Sequence, residues 1–189
     1  LADLLSNLYN KKFDVIPNYS LKEQIGPDSK KGSDHRITEF LIKGNAHPER
    51  EFEKFIFSWA HTNKNAILNF RCPSNEYLEK LKAYAKKSKA RNRIRFSNPV
   101  SQSELISAAS SSDIGIIPYD GSVHIGYKYC CPNKLSEYMA AGLAIVHFNI
   151  NYVSRKCQEF GIGFEINWEN FSDQINDICK NQELYQSME

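Results

Sequence analysis

No stretch of this 189-residue chain approaches the ~20 apolar residues of a membrane-spanning helix. No leader of charged, apolar and small residues opens it either. Cysteine is scarce and odd in number: Cys72, Cys130, Cys131, Cys157 and Cys179 show neither C-x-x-C spacing nor a nearby His pair. That pattern excludes a zinc site and a disulfide framework, and it predicts free thiols in a reducing cytoplasm. Strong charge of one sign is missing as well. A net charge of +2 is too small to imply nucleic acid as a partner. The five histidines, His35, His47, His61, His124 and His147, are scattered without metal spacing, so no metal is expected. There is no internal repeat and no low-complexity stretch.

What is present is ordinary globular material, with 41% hydrophobic and 24% charged residues, which argues against disorder or a collagenous chain. The length suits one domain with short terminal additions. Leu1, Leu4, Leu5 and Leu8 repeat at helical spacing, so the sequence begins inside an amphipathic helix, as expected of a fragment. Phe13 to Ile16 reads as a short strand stopped by Pro17-Asn18, and Gly26 to Gly32 as a polar loop. We therefore divide the chain into 1–32, a linking helix, short strand and loop, and 33–189, the main domain.

From Ile37 onward apolar strands alternate with helical patterns, the signature of parallel βαβ construction. Strands are predicted over 37–43, 66–70, 94–96, 113–118, 143–148 and, shortest, 161–166. Pro48 suits the first position of a helix, with Glu49, Glu51 and Glu53 near its positive end. Phe52, Phe55, Ile56 and Trp59 then face the sheet. Ser101 and Glu104 have capping-box spacing, and Gly142 suits a left-handed helix end. The expected fold class is α/β, a Rossmann-like, doubly wound parallel sheet.

In such a sheet, ligands bind beyond the carboxyl ends of the strands. The longest and most polar loop there is Tyr119 to Cys131, and loops beyond minimal length tend to hold function. The helix that follows from Pro132 offers free N–H groups and a positive dipole end, which suit a phosphate. Lys134 sits in its first turn, where that dipole disfavours a cation, and an anionic ligand would remove the conflict. Equally, Lys134 and Glu137 are three apart and suit a surface pair worth ~0.2–0.5 kcal/mol. Leu135, Tyr138 and Met139 share the other side and read as core. Glu137 is placed for the hydroxyls of a ribose, since a carboxylate can accept two such bonds. Among the remaining polar residues, Asp113 suits a turn or cap. His124 and His147 are worth testing, and Trp59 and Trp168 read as packing residues. The basic run from Lys80 to Arg95 suits a solvated helix face and its exit, or else a patch for anionic lipid.

The run Pro132-Asn133-Lys134-Leu135-Ser136-Glu137-Tyr138-Met139-Ala140-Ala141-Gly142-Leu143-Ala144-Ile145-Val146 resembles the "PNKLxEYMAAGxPVV" segment of glycosyltransferase family 4 and its group 1 relatives. Asp14 to Asn18 resembles the "VIPNG" that opens their C-terminal domain, and Ser112 to Tyr119 the "ADVGLVPY" strand. These stand in the family's order, over about Phe13 to Asn149. The resemblance implies the C-terminal, donor-binding half of a GT-B architecture, acting with retention in surface polysaccharide or glycoconjugate synthesis. It implies Glu137 on the donor ribose, the N–H groups of Asn133, Lys134 and Leu135 around the diphosphate, Gly44 and Asn45 close to the donor, and Arg50 on the diphosphate. The base would lie near Asn98, Pro99 and Val100. Where the family often places a first Glu eight residues before Glu137, this chain has Tyr129, so Lys128 or the loop backbone would stand in.

The substrate implied is a UDP-sugar or GDP-sugar, with no cofactor and no metal in this half. Partners implied are an N-terminal acceptor-binding domain of the same polypeptide, carrying the catalytic groups, and a peripheral contact with the inner face of the membrane. The chain alone would bind without turnover. A receiver-type module would need an acidic cluster after the first strand, where Lys43-Gly44-Asn45 stands instead. A nicotinamide dehydrogenase would need G-x-G-x-x-G there. A nucleotide-sugar epimerase on the same fold, or a non-catalytic α/β binding module, is the remaining alternative.

Overall fold

Successive side chains along each strand point to opposite faces of the sheet, and those two faces organise the molecule. The computed structural model describes residues 2–14 and 37–181. Helix α1 (Ala2–Tyr9) occupies the predicted leading helix, although Leu8 is 70% exposed. Phe13 and Asp14 take no strand geometry. Val15 to Asn18 and the loop Gly26 to Gly32 lie outside the described residues.

Six strands, β1 (Thr38–Lys43), β2 (Ala66–Arg71), β3 (Ile94–Ser97), β4 (Ile114–Ile117), β5 (Ala144–His147) and β6 (Gly163–Glu165), form one parallel sheet of order β3-β2-β1-β4-β5-β6. The sheet is doubly wound, as expected, and its order reverses between β1 and β4. Every predicted strand from Ile37 onward is present, within about two residues at either end.

One face carries Phe40, Ile42, Leu68, Phe70, Ile114, Ile116 and Val146. Helices α2 (Phe52–Trp59), α3 (Glu76–Lys87) and α8 (Phe171–Lys180) cover it, through Phe52, Phe55, Trp59, Leu81, Phe171 and Ile175. The other face carries Leu41, Ile117 and Ile145 under α4 (Leu105–Ala109), α6 (Asn133–Ala140) and α7 (Asn151–Phe160). Both faces are thus buried, which is why the central strands read as continuous apolar runs. Trp59 and Trp168 are packing residues: Trp59 meets Phe40 edge-on at 5.2 Å, and Trp168 stacks on Phe148 at 4.7 Å and on Phe171 at 5.2 Å.

The switch between β1 and β4 is pinned at both ends. At the amino end, Asp113 accepts the Glu39 N–H at 2.7 Å, a bracing role rather than a chemical one. Further along, only Phe40–Ile114 and Leu41–Gly115 are in register, and the Tyr138 hydroxyl shares its proton between the carbonyls of Leu41 and Ile116, at 3.1 and 3.2 Å. Its ring lies directly on Gly115, where a Cβ would stand 2.4 Å from two ring atoms. Only a residue without a side chain fits there.

The expected helix from Pro48 is divided. Pro48–Arg50 is a single 3-10 turn, Glu51 follows in the left-handed region (φ 48°), and α2 starts afresh at Phe52. The Ser101–Glu104 capping box is present, but it opens a 3-10 turn (Gln102–Glu104) ahead of α4. Gly142 follows α6 at φ +67°, the predicted left-handed end. Helix α7 buries only Val153 and Cys157, too thin an apolar stripe to be read from periodicity.

Candidate functional site

Beyond the carboxyl ends of β1 and β4 the chain brings together Lys43 and Gly44 from the first, Tyr119 from just after the second, and the first turns of α6. Alternation along β1 puts Lys43 on the same face as Leu41, beneath α6. An unpaired ammonium there would be costly. It is paired: Lys43 Nζ lies 2.5 Å from Glu137 Oε2, with the two side chains 5% and 19% exposed. Burial still pulls the Lys43 pKa below the ordinary lysine value; the hydrogen bond to Glu137 opposes this, and the nearby positive charges of Lys134 and Arg71 add to it. Thus Glu137 is bound by Lys43 rather than by Lys134, and the surface pair suggested by their spacing does not form.

Lys134 turns to the loop instead. It is 9% exposed, donates to the Tyr119 hydroxyl at 2.8 Å, and its ammonium stands 4.9 Å from that ring's centroid. Arg50 reaches the same ring, its guanidinium 5.1 Å from the centroid, and donates to the Asn45 carbonyl. None of the three nearby glutamates holds it: Glu49 lies beside His47, Glu51 pairs with Lys54, and Glu53 accepts from the Tyr77 hydroxyl. The 3-10 turn and the left-handed Glu51 aim those carboxylates elsewhere and leave Arg50 to Tyr119. Tyr119 is itself held by Tyr127, stacked at 5.1 Å.

Gly44 completes the group. Its φ of +94° suits only glycine, and a Cβ there would stand 3.1 Å from the Lys134 ammonium. The result is three cations, Lys43, Lys134 and Arg50, of which Lys43 alone has a carboxylate within ion-pair distance among the described residues; Glu49, Glu51 and Asp120 line the hollow beside Arg50 without pairing with it, and Lys134 rests on Tyr119. Their influence reaches Cys72 at the end of β2, whose thiol feels both Lys134 and Arg50, although burial outweighs them and pushes it up to about 11.

Helix α6 starts at this cluster without a side-chain cap. The Leu135 N–H already donates to the Pro132 carbonyl at 3.0 Å, so the open amides are those of Asn133 and Lys134. The side chain of Leu135 is buried, whereas Met139, expected in the core, is 37% exposed.

Other candidates lie apart from the cluster. Asn98 and Pro99 are exposed and Val100 half-buried, after β3 at the sheet edge, two strands from β1. Lys128 ends a short helix, α5 (Ile125–Lys128), inside the long loop, and Tyr129 beside it is 53% exposed. His124 caps α5 by accepting the Gly126 N–H at 3.0 Å. His147 is buried with its Nδ1 at 2.8 Å from the Phe148 carbonyl. In the basic run, Lys80 and Lys82 pair with Glu76 and Glu79, Arg93 donates to the Trp59 and Asn63 carbonyls, and Arg95 pairs with Glu39. Lys86, Lys87 and Lys89 remain exposed.

Lys43 and Tyr119 are the site residues that pattern reading missed. A lysine closing a run of buried strand residues was the available signal for Lys43, since a strand end buried on both faces holds a cation only against a partner.

Among the described residues no helix is long and apolar enough to cross a membrane. The match to the family described as glycosyl transferases group 1 spans residues 28–189. No curated protein sequence matches the chain. Among solved structures it is similar to WaaG, a glycosyltransferase involved in lipopolysaccharide biosynthesis, at 16% identity and TM-score 0.69, covering 97% of this chain and 52% of that one. It is similar to a mutant of S. aureus TarM in complex with fondaparinux, α-GlcNAc-glycerol and UDP, at 12% identity and TM-score 0.72, covering 98% of this chain and 36% of that one. A putative UDP-N-acetylglucosamine 2-epimerase from Listeria monocytogenes shares the fold at 13% identity and TM-score 0.53, covering 85% of this chain and 42% of that one. The chain thus spans about half of WaaG and about a third of TarM. A six-stranded sheet wound on both sides, a cationic cluster at its switch point and a family match over residues 28–189 lead to one assignment: the chain belongs to the glycosyl transferases group 1 family, with the fold of the C-terminal half of a GT-B glycosyltransferase.

Proposed function

We propose that this chain binds the nucleotide-diphosphate end of a UDP-sugar or GDP-sugar and forms the donor half of a retaining glycosyltransferase in surface polysaccharide or glycoconjugate synthesis. The observation that carries this reading is the cluster at the switch point, where Lys43 pairs with Glu137 while Lys134 and Arg50 hold no carboxylate among the described residues, beside an uncapped helix start. A diphosphate supplies the missing negative charge. Lys134 and Arg50 would leave the Tyr119 ring for its oxygens, and the amides of Asn133 and Lys134 would point at it. Groups fixed in advance around developing negative charge are what a leaving nucleoside diphosphate needs, and no metal is required of this half. Glu137 would accept the ribose hydroxyls.

Acceptor binding and the catalytic groups belong to an N-terminal domain of the same polypeptide, at the inner face of the membrane in the cytoplasm. The chain by itself would bind without turnover. The epimerase reading keeps the fold, but the family match favours sugar transfer. Calorimetry with UDP, GDP and uridine tests the proposal. Either diphosphate should bind and uridine should bind far more weakly; no binding of UDP or GDP at millimolar concentration would overturn it.

A further inference from the structure

The pair Lys43–Glu137 differs from the other described ion pairs in its depth. The remaining pairs, such as Lys54–Glu51, Lys82–Glu79 and Arg95–Glu39, each keep at least one side chain more than a third exposed. Lys43 is 5% exposed and Glu137 19%. Lys43 also lies 5.7 Å from the centroid of the buried Tyr138 ring; it is too deep to reach a ligand ahead of Glu137, and it takes no part in the Tyr119 arrangement that holds Lys134 and Arg50. Its one ion-pair partner is Glu137 Oε2, which leaves Oε1 as an acceptor without a protein partner among the described residues.

A carboxylate with one oxygen tethered from below and the other open is fixed in direction. That matters for a neutral diol, which gains from an acceptor held still and has no charge of its own to draw the carboxylate into place. Lys43 sits on β1, and Glu137 on α6 above it. The strand therefore sets where the helix's carboxylate points.

We infer that Lys43 is a positioning residue, acting through Glu137, that makes the site select a ribose over a deoxyribose. This rests on the donor-binding reading above. A hydrogen bond from a hydroxyl to a charged acceptor is worth enough to give a discrimination of ~10- to 100-fold. If Lys43 only supplied positive charge to phosphate, its loss would weaken ribo- and deoxyribonucleotides alike.

The test measures the affinities of the whole chain for UDP and 2′-deoxy-UDP, and for GDP and 2′-deoxy-GDP, in native protein and in Lys43→Met, Glu137→Gln and the double variant, each checked by its melting curve. Native protein should prefer the ribonucleotides by ~10- to 100-fold. Lys43→Met and Glu137→Gln should each bring that ratio close to one, and the double variant should lower it no further. Should Lys43→Met fail to fold, Glu137→Gln alone still decides the first step, because a preserved ratio there removes the acceptor on which Lys43 is said to act. A uniform loss of affinity in Lys43→Met with the ratio intact would overturn the inference while leaving donor binding in place. Failure of native protein to bind either diphosphate would overturn both.

Discussion

Replacing Gly44 with alanine separates two effects that the structure places at one atom. The backbone there has φ +94°, a conformation that costs an L-residue about 1–2 kcal/mol. The new methyl would also stand 3.1 Å from Lys134 Nζ and 3.4 Å from Lys134 Cε. A lysine side chain yields to that crowding cheaply, but it yields by moving its ammonium away from the Gly44 backbone, and the site loses one of its aligned cations. Gly142 supplies the control, with φ +67° and nothing within 4 Å of an added methyl. Gly44→Ala and Gly142→Ala should therefore lose similar stability in urea, about 1–2 kcal/mol each. Only Gly44→Ala should weaken UDP or GDP, by about tenfold, equivalent to ~1.4 kcal/mol. Equal affinity in the two variants would show that the position of Lys134 does not matter to the ligand. A Gly44→Ala protein as stable as the native one would contradict the backbone argument itself.

Three further outcomes are expected. Gly115→Ala drives a methyl to 2.4 Å from the Tyr138 ring, which is held by two backbone carbonyls and cannot step aside; overpacking of this kind should cost ~3 kcal/mol in urea unfolding. Disulfide-exchange labelling should modify the exposed Cys131 first and the half-buried Cys130 more slowly. Cys72, Cys157 and Cys179 are buried, with thiols pushed up to about 11, 12 and 11, and should react only as the chain unfolds. Burial lowers the pKa of His147 below the ordinary 6.5, so the unfolded chain takes up its proton first as pH falls. Its contribution is intact above about 6.5 and is lost as the pH drops from there through the folded pKa, with a slope of at most about 1.4 kcal/mol per pH unit; unfolding curves of native protein and His147→Asn should diverge above that window and converge below it.

Much of the fold was legible because burial on both faces of a parallel sheet writes apolar strands directly into the sequence, as in Ile114–Ile117 and Ala144–His147. Gly142 and the Ser101–Glu104 box were legible for a similar reason, since each answers a local backbone need. The partners of the site residues were not. Spacing on α6 suggested Lys134 with Glu137, but the sheet beneath offers Glu137 a buried ammonium and the loop offers Lys134 a phenol, and both are contacts between segments far apart in the chain. Arg50 was hidden in the same way. Its three neighbouring glutamates were the obvious partners until the left-handed Glu51 divided the helix and turned them away. Asn98 to Val100 were assigned by family position alone, and the structure sets them at the sheet edge without bringing them to the cluster.

The most direct test of the central claim is an amide-resolved NMR titration of the chain with UDP and with GDP. Binding at the switch point should move the N–H signals of Gly44, Asn133 and Lys134 together, saturate with the diphosphate, and weaken about tenfold in Lys134→Ala. Shifts confined to other parts of the chain, or none with either diphosphate at millimolar concentration, would contradict it.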